Sequence, residues 1–312
     1  MNVPCYPDFV PLDIGLKETL HPRLSLTPDG VSEFTFSGLY LFRNKYNYRI
    51  SRAADGKGGQ DDKGGQDGGF IISGAGAGKT FFMTPCCAPD LETLESLFAA
   101  HDYWKNIPET VLAQYTESPA KKIFDERGIV IAEDRDNFDY LYFRKDLAEL
   151  AGKKYHKKKN HVNNFLSAWP NHKIHPLNAG LVPAAMEILE QWRQEALLKN
   201  NEDGDYVSTK EALELFEELA LKGSIFYIDG KPAAFCLGES IARGKMFVTH
   251  FEKAISAYRG IYQFVNQAFA ASLPNFFTLI NREQDLGNEG MRQSKMTYRP
   301  CDFVRKYTAR YV

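Results

Sequence analysis

Ser224-Ile-Phe-Tyr-Ile-Asp-Gly-Lys-Pro-Ala-Ala-Phe-Cys-Leu-Gly-Glu239 sets two apolar runs on either side of one Asp-Gly pair. Asp229-Gly230 between such runs predicts a type I′ hairpin, because both central residues must take positive φ. A second turn, Ala242-Arg243-Gly244, leads into Lys245-Met-Phe-Val-Thr-His-Phe-Glu252. A helix is expected from about Ser256 to Ser272, and then a short apolar strand, Phe276-Phe-Thr-Leu-Ile280. Three antiparallel strands, a crossover helix and one further strand give a right-handed connection to a parallel neighbour. The start of that helix offers free N–H groups to an anion such as a phosphate or carboxylate.

At 312 residues the chain suits one large domain or two ordinary ones. Its 44% hydrophobic and 25% charged residues are those of a globular protein. A net charge of −2 argues against a surface coated for bulk nucleic-acid binding, though not against a local basic site. No apolar run approaches the roughly 18–20 residues that span a bilayer, so no transmembrane segment is expected. The first residues lack a basic segment followed by an apolar core, so no signal peptide is expected. Five cysteines suggest no disulfide framework, and a cytoplasmic protein is the simplest reading.

Residues 34–50 are rich in aromatic and β-forming types and read as strand. Residues 55–69 hold Lys-Gly-Gly-Gln-Asp twice and read as a flexible loop. Strands are expected near 70–73, 80–84, 129–132 and 140–143. Asp90 should cap a helix over 91–100, and Pro108 and Pro119 should sit in the first turns of two more. A helix over 153–169 should bury Val162, Phe165, Leu166 and Trp169, and a second should bury Ala185, Ile188, Leu189 and Trp192. A third should open on the capping box Ser208-Thr-Lys-Glu211 and stop at Gly223. Element order gives two α/β halves: residues 1–150, and residues 151–312 with the active site.

Ser73-Gly-Ala-Gly-Ala-Gly-Lys-Thr80 nearly matches a phosphate-binding loop. It lacks the first Gly and the long helix after the Thr, so a glycine-rich hairpin is the better reading. Lys153-Lys-Tyr-His-Lys-Lys-Lys159 packs five lysines at a helix start, where cations oppose the dipole. Such a run is either a solvated face or a hold on a polyanion. Arg282, Glu283, Asp285, Arg292 and Lys295 lie just past a buried strand, where α/β sheets collect ligands; a structural ion-pair network is the alternative. Arg259-Gly260 resembles only a remnant of the Gln/Arg-x-x-Gly-x-Gly/Ala loop that N-acyltransferases using coenzyme A have at this point. Cys86-Cys87 are adjacent and unsuited to zinc, and no cluster has metal spacing. His250, inside a strand, reads as packed and hydrogen-bonded.

Tyr142-Phe-Arg-Lys-Asp-Leu through Asn164-Phe165, Asn281-Arg-Glu-Gln-Asp-Leu-Gly through Thr297-Tyr298, His250-Phe-Glu-Lys and Tyr258-Arg-Gly-Ile-Tyr262 carry a resemblance. Together they resemble a bacterial family related to the C-terminal domain of phosphatidylglycerol lysyltransferase. The element order is likewise that of the GCN5-type N-acyltransferase (GNAT) core. The resemblance implies two tandem GNAT-like folds with mixed sheets and flanking helices, α/β (α+β) in class, as in the Fem-type aminoacyltransferases. It implies transfer of an aminoacyl group from aminoacyl-tRNA to a lipid head group, cell-wall precursor or small molecule. No tightly bound cofactor is expected, only aminoacyl-tRNA or acyl-CoA as co-substrate. The Arg-Glu-Gln-Asp-Leu-Gly motif is not the lysyltransferase's own, and no membrane domain is read here.

For such a reaction Glu239 or Glu252 would accept a proton and Tyr298 would donate one to the leaving group. Backbone N–H groups near the end of 245–252 would stabilise the oxyanion. Lys157, Lys158, Arg259 and Gly260 would hold carrier phosphates, and Arg282, Glu283, Asp285 and Arg292 would orient the acceptor. An acetyl-CoA-dependent acetyltransferase, or a non-catalytic module binding RNA or another anion, would use the same fold.

Overall fold

The computed structural model describes residues 2–53, 69–85, 88–116, 124, 126, 128–198 and 204–311. The chain forms two compact units. One comprises Met1–Asp139, Gln284–Asn288 and Val304–Val312; the other comprises Tyr140–Glu283 and Glu289–Phe303. Sequence placed the division at residues 150 and 151, with no segment returning.

The first unit holds a seven-stranded sheet in the order Val10–Pro11, Arg49–Arg52, Phe70–Gly76, Lys79–Met83, Tyr103–Pro108, Lys306–Tyr311, Ile129–Glu133. Lys79–Met83 and Tyr103–Pro108 are parallel, and helix Leu91–Ala100 connects them. The Asp90 carboxylate accepts from the Thr93 N–H at 2.8 Å, so this helix starts where its cap predicted. Phe82 stacks on Trp104 at 5.6 Å between ring centres. The sixth strand, Lys306–Tyr311, comes from the end of the chain and carries a fully buried lysine. Lys306 donates to Asp139 at 2.7 Å and also to Glu33, which compensates for burying its charge.

The near-phosphate-loop is the hairpin between Phe70–Gly76 and Lys79–Met83, turning at Ala77 and Gly78 with φ of 51° and 75°. Its glycines make room for rings. A Cβ on Gly74 would lie 2.7 Å from the Phe81 ring and 3.0 Å from that of Tyr48. Residues 34–50 depart from expectation, because Phe36–Tyr46 is a helix and only Arg49–Arg52 is strand. Thr35 caps its start by accepting from the Gly38 N–H, and Asn47 closes it at φ 51°. Capping and burial of Phe36, Leu39 and Tyr40 override the β-like composition. Tyr103–Pro108 is a strand that sequence did not separate from its surroundings. The duplicated Lys-Gly-Gly-Gln-Asp, Cys86-Cys87 and Pro119 lie outside the described residues.

The second unit holds another seven-stranded sheet, ordered Asp302–Val304, Asp139–Phe143, Leu279–Asn281, Met246–Ala254, Lys231–Ile241, Lys222–Ile228, His172–Pro176. Asp229 and Gly230, at φ 49° and 77°, make the expected turn. Helix Ile261–Ser272 crosses over to Leu279–Asn281, parallel to Met246–Ala254. Phe264 on this helix stacks on Phe165 at 4.5 Å and meets Phe226 edge-on. Burying each such side chain contributes about 1.5–3 kcal/mol. Val162 and Phe165 of helix His156–Ala168 are buried as predicted, with Leu166 and Trp169 packed at the margin.

Three local expectations fail here. The crossover helix begins at Ile261, five residues late, because Gly260 turns the chain at φ 91°. The third helix starts at Tyr206, so Ser208 lies inside it rather than capping it. Gly223 sits in a strand, where a Cβ would come within 2.1 Å of the Cys236 carbonyl. Close strand approach, not helix termination, requires that glycine.

Candidate active site

The site of interest lies in the second unit, where two parallel strands separate. Met246, Phe247 and Val248 pair with Leu279, Ile280 and Asn281, and the pairing ends there. The strand carrying the first three residues runs on to Ala254. Among the described residues no strand flanks 249–254 on that side. On its other side this strand bulges, since Leu237 faces Phe251 while Gly238 faces Thr249. His250 is thus the extra residue. Gly238 allows the close approach: a Cβ there would sit 1.9 Å from the Val248 carbonyl oxygen.

Side chains bridge the gap that strand hydrogen bonds leave. His250 Nδ1 lies 2.7 Å from Glu283, and its Nε2 lies 3.0 Å from Glu239. The His250 and Glu239 side chains are 4% and 6% exposed. Burial alone would lower the imidazole pKa, but hydrogen bonds and charge from the two carboxylates outweigh it and raise it to about 10. The ring is therefore a cation at neutral pH and donates to both acids. Glu283 holds φ 55°, a strained value for a non-glycine residue, and strain of this kind gathers at functional sites.

Two residues further along the strand, Glu252 accepts from Arg282 at 3.3 Å. The Asn266 carboxamide, with its oxygen toward the guanidinium, accepts from all three Arg282 nitrogens at 2.8–3.2 Å. The Tyr298 ring centre lies 5.3 Å from the Arg282 guanidinium carbon. Burial pushes the Tyr298 phenol up to about 12 against the pull of Arg282, so it keeps its proton near neutrality. Lys295 fixes the backbone here by donating to the carbonyls of Arg282 and Glu283 at 2.7 and 3.0 Å.

Glu239, Glu252, Tyr298, Arg282 and Glu283, all named from sequence, thus converge on one strand gap. Lys158 joins them, half-buried over the Tyr298 ring, whereas Lys157 and Arg259 are exposed. Gly260 precedes the crossover helix and faces the His161 carbonyl, which a Cβ would meet at 3.2 Å. Arg292 lies on helix Glu289–Met296. Asp285 does not join the group. It belongs to the first unit, fully buried, bound to Arg135 at 3.3 Å and accepting from the Gly287 N–H at 2.9 Å. These fixed partners suit a structural turn. Asn266 was missed, although a polar residue amid Ile261, Phe264, Val265 and Phe269 is the signal that marks it.

Among the described residues no helix is long and apolar enough to cross a membrane, and no group of side chains could hold a metal ion. Residues 25–310 match the family described as phosphatidylglycerol lysyltransferase, C-terminal. The chain belongs to this family. The family points to a transferase.

An uncharacterized protein of Mycoplasmoides gallisepticum is 25% identical over 191 residues, which cover 59% of this chain and 58% of that protein's length. The crystal structure of a conserved protein of unknown function from Bacteroides thetaiotaomicron superposes with a TM-score of 0.83 at 26% identity, covering 97% of this chain and 99% of the other. The fold extends to FemX, at TM-score 0.56, 8% identity and coverage of 95% and 96%. A tandem GNAT protein from the clavulanic acid pathway gives 0.50 at 10% identity, covering 97% and 98%. The mixed sheets with flanking helices are the fold that this chain shares with these tandem GNAT and FemX structures.

Proposed function

We propose that this chain transfers an aminoacyl group from aminoacyl-tRNA to an amine or hydroxyl acceptor, in the cytoplasm, at the strand gap within residues 151–312. One observation carries the reading: beyond Val248 the strand has lost its parallel neighbour, and ionisable side chains cluster at that opening. Backbone N–H groups of 249–254 on the side that lost its neighbour suit a developing oxyanion, since preorganised donors act without reorganising during the reaction. Glu252, held by Arg282, takes the proton of the attacking amine or hydroxyl. Tyr298, still protonated at neutral pH, gives one to the leaving oxygen. His250 positions Glu239 and Glu283 and keeps both carboxylates in place. Exposed Lys157 and Arg259, with Lys158 and Gly260, hold phosphates of the carrier, while Arg282, Glu283 and Arg292 orient an acceptor such as a lipid head group or cell-wall precursor.

The test is transfer itself. The chain is incubated with bulk tRNA charged with radiolabelled amino acids and with cell extract, with labelled acetyl-CoA in parallel. Label moving from tRNA to an extract component, and lost in Glu252→Gln, is the expected result. Label moving only from acetyl-CoA assigns the donor to coenzyme A, and transfer from neither leaves a binding module.

A further inference from the structure

Lys158 and Arg282 approach the same phenol ring. The Lys158 ammonium is 4.0 Å from the Tyr298 ring centre, and the Arg282 guanidinium carbon is 5.3 Å from it. Arg282 has Glu252 and Asn266. Among the described residues Lys158 has no carboxylate partner, so two cations share one ring while only Arg282 has an acid. A half-buried ammonium within reach of the Arg282 charge is unfavourable, and burial and Arg282 together lower the Lys158 pKa. Packing does not require it, because Val162 and Phe165 anchor the helix and neighbouring Lys157 and Lys159 remain exposed. A bound anion would remove the penalty.

We propose that Lys158 and Arg282 form one subsite for a phosphate group of a substrate, with the Tyr298 ring beside it. The ammonium supplies three mobile donors and the guanidinium a second positive charge, the pairing that phosphate oxygens favour. The subsite joins a residue of the lysine run to the Arg-Glu-Gln-Asp segment, so that one anion touches both. It deepens the transfer reading above and rests on it for the identity of the substrate. Two sources share the chemistry: a nucleotide phosphate near the end of the carrier, or the phosphate of the acceptor's head group.

The full chain is titrated with inorganic phosphate, adenosine 5′-monophosphate and glycerol 3-phosphate at matched ionic strength, following the melting temperature and the heat of binding. A ligand that binds only the folded state raises that temperature. Lys158→Met keeps the stem over Tyr298 and removes the charge, and should weaken binding about tenfold or more, as loss of one charge-assisted hydrogen bond predicts. Lys159→Met should bind as wild type, and Lys158→Arg should recover most of the affinity. Tighter binding of the nucleotide assigns the phosphate to the carrier, and tighter binding of glycerol 3-phosphate assigns it to the acceptor. Equal affinity of wild type and Lys158→Met, or no binding of any of the three probes, overturns the subsite. Because binding is read without turnover, an inactive protein that binds phosphate sinks only the transfer reading. An active one that ignores phosphate sinks only the subsite.

Discussion

His250 donates to Glu283 across 2.7 Å, joining the bulged strand to the second residue past the end of strand Leu279–Asn281. Where the two backbones no longer pair, a charged side-chain bond takes over. Glu239 grips the opposite ring nitrogen, so the imidazole is buried as a cation between two acids. This arrangement makes stability depend on pH. The folded pKa, about 10, lies above the unfolded value near 6.5, so the contribution is complete below about 6.5. It declines as pH rises and is gone above about 10. Urea unfolding of wild type and His250→Gln at pH 6, 8 and 9.5 should show a difference that shrinks with pH. A constant difference would mean that the ring is not held as a cation.

Gly238→Ala tests the bulge. The added Cβ would overlap the Val248 carbonyl oxygen, a backbone atom with no rotamer to escape into. The loss should reach or exceed the roughly 1–3 kcal/mol of ordinary overpacking. Chemical denaturation provides the measurement, and a melt within experimental error of wild type would show that the strands tolerate a wider spacing.

Removing one half of the Arg282–Glu252 pair should destabilise the second unit. Both side chains are largely buried, 16% and 14% exposed, and truncating one partner of such a pair costs about 3–5 kcal/mol. Arg282→Ala is therefore expected to lose stability and transfer together. Glu252→Gln, which retains shape and hydrogen bonding, should keep a cooperative melt while transfer is lost. Transfer at wild-type rate by folded Glu252→Gln would remove this acid from the mechanism.

The exposed lysine is a separate case. Lys157→Ala should weaken tRNA binding and reduce its salt dependence, because each phosphate contact releases counterions. Stability should stay within about 0.5 kcal/mol, as for other surface changes. Filter binding between 50 and 200 mM salt decides it, and an unchanged slope returns Lys157 to a solvated face.

Lys79→Ala should leave nucleotide binding unaltered, since Lys79 opens a strand of a glycine-rich hairpin and leads directly into strand, not helix. Calorimetric titration with ATP should show no heat of binding for either protein. Micromolar affinity that disappears in the variant would contradict the hairpin reading.

Sequence by itself determined the elements whose signals are local. Asp229-Gly230 specified its turn, Asp90 its helix start, and the spacing of Val162 and Phe165 a buried face, because φ preference, capping and periodicity act within a few residues. The quoted motifs also identified the family and named Glu239, Glu252, Arg282, Glu283 and Tyr298. Tertiary structure decided what depends on distant partners. Phe36–Tyr46 became helix despite its composition, and Lys306–Tyr311 entered a sheet whose other strands end by residue 133. Lys158 settled over the Tyr298 ring while Lys157 stayed exposed, and Asp285 parted from its neighbours to bind Arg135. Charged residues carry no period that tells which will meet, since an ion pair is fixed by the packing around it rather than by the chain that joins it.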